Sequence, residues 1–321
     1  MMINMFDMKP LGKVIYRNGE FELSWSASGL SFSVDLQGDV YAELVFERDP
    51  NNQYKDKYTK MAIFLDDVEE PYAILRIEEG MSKKYLLLSG KIGIHCIRIV
   101  KLNEKARGTI RVRSINADGE IIHDSGNKKE RIEFLGDSLT AGSDLVSHGK
   151  TDEEFTEAQD CTKSYAYVTA QKLQADISIL ARSGLRTSDR EWLLNQPNYW
   201  MDQQPDIVVI GLGTNDQSQL EKGLRTPEEQ EELVRLMLER VRDRYPCAPI
   251  VWAYGLMLTA LEDTYDHLIS RPVKRFAEKD RNTYFCILPK ENGGNGSHSS
   301  AKGHEIAGEV LAKKIMEIKK K

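Results

Sequence analysis

Four short stretches of the chain carry side chains that together could run acyl-transfer chemistry: Gly136-Asp137-Ser138-Leu139, Arg182-Ser183-Gly184, Gly213-Thr214-Asn215-Asp216 and Asn295-Gly296-Ser297-His298. A serine hydroxyl attacks a carbonyl carbon only when a base takes its proton, and His298 is the candidate base for Ser138. The tetrahedral oxyanion formed by that attack needs donors already aimed at it. The backbone N–H groups of Ser138 and Gly184 and the side-chain amide of Asn215 could supply them. Taken singly, each residue has an ordinary explanation. Ser138 could cap a helix, Gly184 could serve a turn, Asn215 could make an Asx-turn or a cap, and His298 could cap the helix after it. Their joint order along the chain favours a site.

The elements around these stretches are those that would display them. Arg131-Ile132-Glu133-Phe134-Leu135-Gly136 reads as a short buried strand running into the small-residue turn Asp137 to Gly142, which would present the Ser138 hydroxyl at the start of a helix. Beyond it, helical and strand-like segments alternate. Lys163 to Leu173 has helical spacing, Asp176 to Leu180 is strand-like, and Asp206 to Ile210 is a continuous apolar run, as in a strand covered on both faces. Thr226-Pro227-Glu228-Glu229 carries the signature of a capping box, with Leu233, Leu236, Met237 and Val241 marking the buried face of its helix. A strand at Ile250 to Tyr254, a helix over Tyr265 to Lys279, a strand at Thr283 to Leu288 and a terminal helix over Ala301 to Ile318 complete the series. Such alternation predicts an α/β domain with a mostly parallel sheet, and places its ligand site at the carboxyl ends of the strands.

The first third is different. From Val14 to Ile122 apolar residues alternate with polar ones, as in Leu30-Ser31-Phe32-Ser33-Val34 and Tyr41-Ala42-Glu43-Leu44-Val45-Phe46, with turn pairs such as Asn18-Gly19 and Asp118-Gly119 between runs. Many short strands without a helix predict a β-sandwich or jelly roll. The polar stretch His123 to Glu130 marks the boundary, giving a β-domain over residues 1–125 and an α/β domain over 126–321. Trp25, in an alternating strand, is assigned to the core.

Composition excludes several functions. The chain of 321 residues has a net charge of −6 with its basic residues dispersed, which argues against nucleic acid or an anionic membrane as a partner. No apolar run approaches the ~18 residues of a membrane span. No leader is visible at the start, so the chain reads as cytosolic, or as secreted if a leader has been removed. The four cysteines make no C-x-x-C pair and the six histidines show no ligand spacing, so no metal or other cofactor is expected. Absence of G-x-S-x-G disfavours an α/β-hydrolase, and absence of Lys-Ser or Lys-Thr after Gly142 disfavours a P-loop.

With Ser138, Gly184, Asn215 and His298 in order, the last 190 or so residues resemble the GDSL esterases, or SGNH hydrolases. That resemblance implies Ser138 as nucleophile, His298 as base, an oxyanion hole from the Ser138 and Gly184 amides and Asn215, and a flavodoxin-like α/β/α fold. The β-domain ahead of the GDSL block, with Leu23-Ser24-Trp25-Ser26-Ala27-Ser28-Gly29 and Gly108-Thr109-Ile110, narrows the resemblance to carbohydrate esterase family 2, as do Ser164-Tyr165-Ala166 and Asn198-Tyr199-Trp200. The implied reaction is removal of O-acetyl groups from sugars or from xylan- and mannan-type saccharides, without a metal. The chain departs from the SGNH pattern where an aspartate usually precedes the histidine: Asn295 and Gly296 stand there, and Ser299 replaces the usual proline. A Ser138/His298 dyad is then implied, with a backbone carbonyl or the Asn295 amide orienting the ring; His304, at the start of the terminal helix, is the second choice of base. The competing reading is a carbohydrate-binding protein with a decayed esterase domain. Trp192, Trp200, Trp252 and Tyr254 are the aromatics that could stack on a sugar, although Trp252 and Tyr254 lie in a predicted central strand.

Overall fold

The computed structural model describes residues 1–49, 57–122, 129–146, 151–196, 204–258, 266–291, 293–294 and 298–320. These fall into two compact units: residues 1–122 with 151–157, and the remainder. The sequence boundary at 125/126 lies among residues 123–128, outside the described set.

Every named strand pair of the first unit is antiparallel. Its strands are β1 (Lys9–Leu11), β2 (Val14–Arg17), β3 (Glu20–Leu23), β4 (Gly29–Glu47), β5 (Tyr58–Leu65), β6 (Ala73–Glu78), β7 (Lys83–Leu88), β8 (Gly93–Lys101) and β9 (Thr109–Ile122). They pair in the order β2-β3-β9-β4-β8-β5-β6, with β1 and β7 also on β4. The long β4 holds the unit together. Residues 29–36 pair with β8, the register breaks between Leu36 and Val40, and residues 40–44 pair with β7. The alternation read from the sequence is the alternation of burial: Leu30, Phe32, Val34 and Leu36 point into one core while Asp35 is exposed. Trp25 is fully buried, in keeping with a core role, under the Lys105 ammonium 4.9 Å from its ring centroid.

Helix α1 (Ser138–Ala141) belongs to the second unit, but α2 (Asp152–Ala158) contributes residues 152–157 to the first. Its carboxyl end is gripped by β-domain side chains. Tyr58 Oη donates to Glu157 Oε1 at 2.5 Å, Lys60 Nζ to the Glu157 carbonyl at 2.6 Å, and Asn103 Nδ2 to the Thr156 carbonyl at 2.9 Å.

The second unit is a parallel sheet of β10 (Arg131–Gly136), β11 (Asp176–Ala181), β12 (Ile207–Gly211), β13 (Ile250–Tyr254) and β14 (Thr283–Ile287), in the order β11-β10-β12-β13-β14. Helices α3 (Tyr165–Lys172), α4 (Arg190–Leu194), α5 (Thr214–Glu221), α6 (Pro227–Arg244), α7 (Arg271–Lys279) and α8 (Ala301–Ile318) connect and cover the strands. Ile207 to Ile210 and all of β13 are buried, as their unbroken apolar runs require. Thr226 and Glu229 form the capping box of α6, and α8 begins and ends where its pattern predicts. Since β10 is flanked by β11 and β12, the chain reverses its winding there. The crevice beyond the carboxyl ends of those strands is the topological switch point, where open α/β sheets bind ligands.

Candidate active site

Register brings the separate blocks together. Gly136 at the end of β10 faces Ala181 of β11 and Gly211 of β12, so Ser138, Gly184 and Asn215 follow within a few residues of one aligned row. Two of the three row positions are glycine because α1 and α3 close over them. A Cβ at Gly136 would lie 2.0 Å from Thr140 Oγ1, and one at Gly211 2.0 Å from Tyr165 Oη. Those two hydroxyls hydrogen-bond at 2.8 Å, tying the Asp137–Gly142 turn to α3.

The cap of α1 is Asp137, not Ser138: Asp137 Oδ1 accepts the Leu139 N–H at 3.0 Å, which leaves Ser138 as the first helical residue with its hydroxyl uncommitted to capping. The helix ends after one turn at Gly142, whose φ of 82° is left-handed and whose absent Cβ would meet the Asp160 carbonyl at 2.5 Å. Ser143 N–H then returns to the Ser138 carbonyl at 3.0 Å.

His298 comes from the loop before α8, and its Nε2 lies 3.0 Å from Ser138 Oγ. The loop is pinned on both sides. Ser299 Oγ donates to the Glu291 carbonyl at 2.8 Å, Ser300 N–H to Glu291 Oε2 at 2.7 Å, and Ser300 Oγ caps α8 by accepting the Gly303 N–H at 3.0 Å. The cap is thus Ser300, and His298 is left to the site. Asn295 lies outside the described residues. Beside the other ring nitrogen, with Oδ2 2.7 Å from Nδ1, stands the carboxylate of Asp144, a residue with 4% exposure. The missing aspartate upstream of His298 therefore does not leave the ring without a carboxylate neighbour. Oδ2 lies off the axis of the ring N–H, so the contact is a close approach of carboxylate and ring more than a straight hydrogen bond.

His304 is unsuited to be the base. It is fully buried, its Nδ1 accepts the Tyr165 N–H at 3.0 Å, and burial, with a smaller repulsion from His298, lowers its pKa to about 3. It caps the start of α3 as a neutral ring.

Gly184 has a φ of 83° with nothing near the place of a Cβ, so the left-handed backbone requires glycine here and crowding does not. Asn215 is the second residue of α5, behind Gly213 as cap, so it is not itself the cap. Its Nδ2 donates to the Leu185 carbonyl at 3.0 Å and, more weakly, to Asp137 Oδ2 at 3.3 Å. The first bond fixes the amide against the Gly184 loop; the second turns it to the Asp137–Ser138 turn. Burial raises the Asp137 carboxyl from 3.8 to about 7, against the stabilising effect of the Leu139 N–H and of His298. Behind Asn215, the buried Asp216 accepts from Thr187 N–H and Oγ1 and from Arg225 Nη1 at 2.5 Å. Arg225 also donates to Gln230, which donates to Thr187. This closed network joins the loop after β11 to α5 and α6.

Sequence reasoning missed Asp144 and the Asp216–Arg225 network, since neither follows a local pattern. Of the aromatics, Trp252 is buried with Nε1 donating to the Leu212 carbonyl at 3.0 Å, and Tyr254 is buried with Oη on Gln217 at 3.2 Å; both are core. Trp192 is half-buried with the Arg182 guanidinium 4.2 Å from its ring centroid, and Trp200 lies outside the described residues. Among the described residues no cluster of three or more His, Cys, Asp or Glu could hold a metal ion.

Residues 134–306 match the model of the GDSL-like lipase/acylhydrolase family. A cellulase/esterase of Acetivibrio thermocellus is 24% identical over 246 residues, covering 70% of this chain and 30% of that protein. An acetylxylan esterase/glucomannan deacetylase of Cellvibrio japonicus is 32% identical over 147 residues, covering 39% of this chain and 40% of that protein. The chain thus spans less than half the length of these curated relatives. A family two carbohydrate esterase structure from Cellvibrio japonicus superposes with a TM-score of 0.83 at 16% identity, covering 99% of this chain and 97% of that one. The fold of both units is therefore that of this family two carbohydrate esterase, a parallel α/β domain preceded by an antiparallel β-domain.

Proposed function

We propose that this chain, which belongs to the GDSL-like lipase/acylhydrolase family, is a serine esterase that removes O-acetyl groups from saccharides. The observation that carries the reading is the 3.0 Å separation of Ser138 Oγ and His298 Nε2 at the carboxyl edge of the parallel sheet. That distance is within reach for proton transfer. His298 Nε2 takes the Ser138 proton as Oγ attacks the acetyl carbonyl, and the Ser138 and Gly184 amides donate to the oxyanion together with Asn215 Nδ2, which gives up its long 3.3 Å bond to Asp137 Oδ2 to do so. The imidazolium then protonates the departing sugar oxygen. Water, deprotonated by the same nitrogen, attacks the acetyl-serine, and the proton passes from Nε2 to Ser138 Oγ as the acyl–oxygen bond breaks and acetate leaves.

The saccharide substrate is supported by the curated relatives, one named as an acetylxylan esterase and glucomannan deacetylase, and by a fold shared with a family two carbohydrate esterase. A carbohydrate-binding protein with a spent esterase domain is disfavoured by a nucleophile and base still in contact. The test is acetate release from a panel of acetylated mono-, oligo- and polysaccharides, xylan and mannan types included. Wild type should release acetate and Ser138→Ala should fall to background with an unchanged melting temperature, because among the described residues the hydroxyl bonds no side chain but His298. Saccharide binding without acetate release, or a Ser138→Ala variant that keeps more than a tenth of turnover, would overturn the reading.

A further inference from the structure

We infer that Asp144 is the acid partner of His298, moved from the histidine's own loop to the far end of the nucleophile turn. The inference rests on the esterase reading for its chemistry and on separate geometry for its residue. Asp144 Oδ2 is 2.7 Å from His298 Nδ1, opposite the nitrogen that faces Ser138, and at 4% exposure water does little to screen that charge. The residue sits in the left-handed region, with a φ of 54°. A non-glycine residue there is uncommon, and the fold holds it in place from both sides. On one side Ser143 N–H bonds the Ser138 carbonyl, and Ser143 Oγ is met by Gln159 Nε2 and Ser183 Oγ, each at 3.2 Å; on the other Val146 N–H bonds the Ala158 carbonyl at 3.0 Å.

Nucleophile and acid therefore share one short, bonded turn, and only the base arrives from elsewhere. In this arrangement the loop ahead of His298 need supply no acid, and Asn295 and Gly296 can stand where an aspartate would otherwise be needed. When Nε2 accepts from Ser138 Oγ, the ring proton is on Nδ1, facing Asp144. The oxygen lies off the N–H axis, so the carboxylate acts mainly on the positive charge that the ring gains as Ser138 attacks. Asp144 is a positioning residue, touching the base and not the substrate.

Asparagine and glycine both tolerate a φ near 54°, so Asp144→Asn and Asp144→Gly remove the charge without straining the backbone. For a chromogenic acetate ester, kcat should fall about 100-fold or more in both, within the ~10⁴-fold that a buried triad carboxylate can carry, while KM changes less than about threefold. Labelling of Ser138 by a fluorophosphonate should slow by a similar factor. This arm needs no saccharide, so a wild type that labels but deacetylates nothing would sink the esterase reading and leave the Asp144 inference standing on its own result. Turnover and labelling within fivefold of wild type, or a change in KM alone, would overturn the inference. Should both variants unfold, ¹⁵N spectra of histidine-labelled wild type, with His298 identified by its loss in His298→Ala, decide: a neutral ring protonated on Nδ1 supports the pairing and one protonated on Nε2 overturns it.

Discussion

Truncating Asn215 to alanine separates two effects of one amide, the proposed contact with the oxyanion and the bonds it makes in the folded chain. The catalytic part is the loss of a preorganised oxyanion donor, which costs about 10²–10³ in kcat, or about 3–4 kcal/mol of barrier. The structural part comes from the acceptors left behind. Leu185 O loses a 3.0 Å bond and Asp137 Oδ2 a 3.3 Å one, and a buried acceptor without a donor costs about 1–3 kcal/mol. The Asp137 share is the smaller, because that bond is long and the carboxyl, raised to about 7, can hold a proton instead. For a unit of this size the melting temperature should then drop by about 2–12 °C. Saturation kinetics with a chromogenic acetate, run well below the new melting temperature, isolate the catalytic part. A kcat loss of two to three orders of magnitude with KM little changed is expected. If KM rises while kcat holds, Asn215 binds ground-state substrate and the oxyanion assignment is wrong. If kcat falls less than about fivefold, the amide serves only to brace the Leu185 loop.

The fully buried Asp137 should leave its mark on stability against pH. Its folded-state pKa lies above the unfolded value, so between about pH 4 and about pH 7 the folded chain keeps a proton that the unfolded chain has lost, and stability falls as pH rises through that window at up to about 1.4 kcal/mol per unit. Denaturation of Asp137→Asn, which retains a capping oxygen, should lack this slope; an identical slope in the variant would place the proton elsewhere. Arg225→Met should destabilise the α/β unit by about 3–5 kcal/mol, since it strands the Asp216 carboxylate at 0% side-chain exposure, and the further change Asp216→Asn should recover part of the loss. A loss under 1 kcal/mol in urea denaturation would show that the Thr187 donors alone suffice.

Sequence alone determined what depends on neighbours along the chain. Period-two alternation in residues such as Leu30 to Val34 fixes which side chains face a core, the buried run Ile207 to Ile210 needs a covered strand, and Thr226 with Glu229 closes a cap within one helical turn. The identities of Ser138, Gly184, Asn215 and His298 were legible because their chemistry restricts residue type at each block. Their assembly was not. Ser138 and His298 are 160 residues apart; the parallel register of Gly136 with Ala181 and Gly211 sets the first three blocks on one rim, and the loop before α8, held by Glu291, brings His298 to it. Tertiary structure also decided which residues stand next to a charge. Asp144 sits in an unpatterned turn and becomes the neighbour of His298 through the return of the chain after β14, while His304, of the same residue type, is made a neutral cap by complete burial. Helix α2 has no local feature that directs it to the β-domain; the side chains of Tyr58, Lys60 and Asn103 do so. Periodicity records the solvent that a residue faces, and a carboxylate, an amide or an imidazole acquires its role from groups that only folding brings within 3 Å or so.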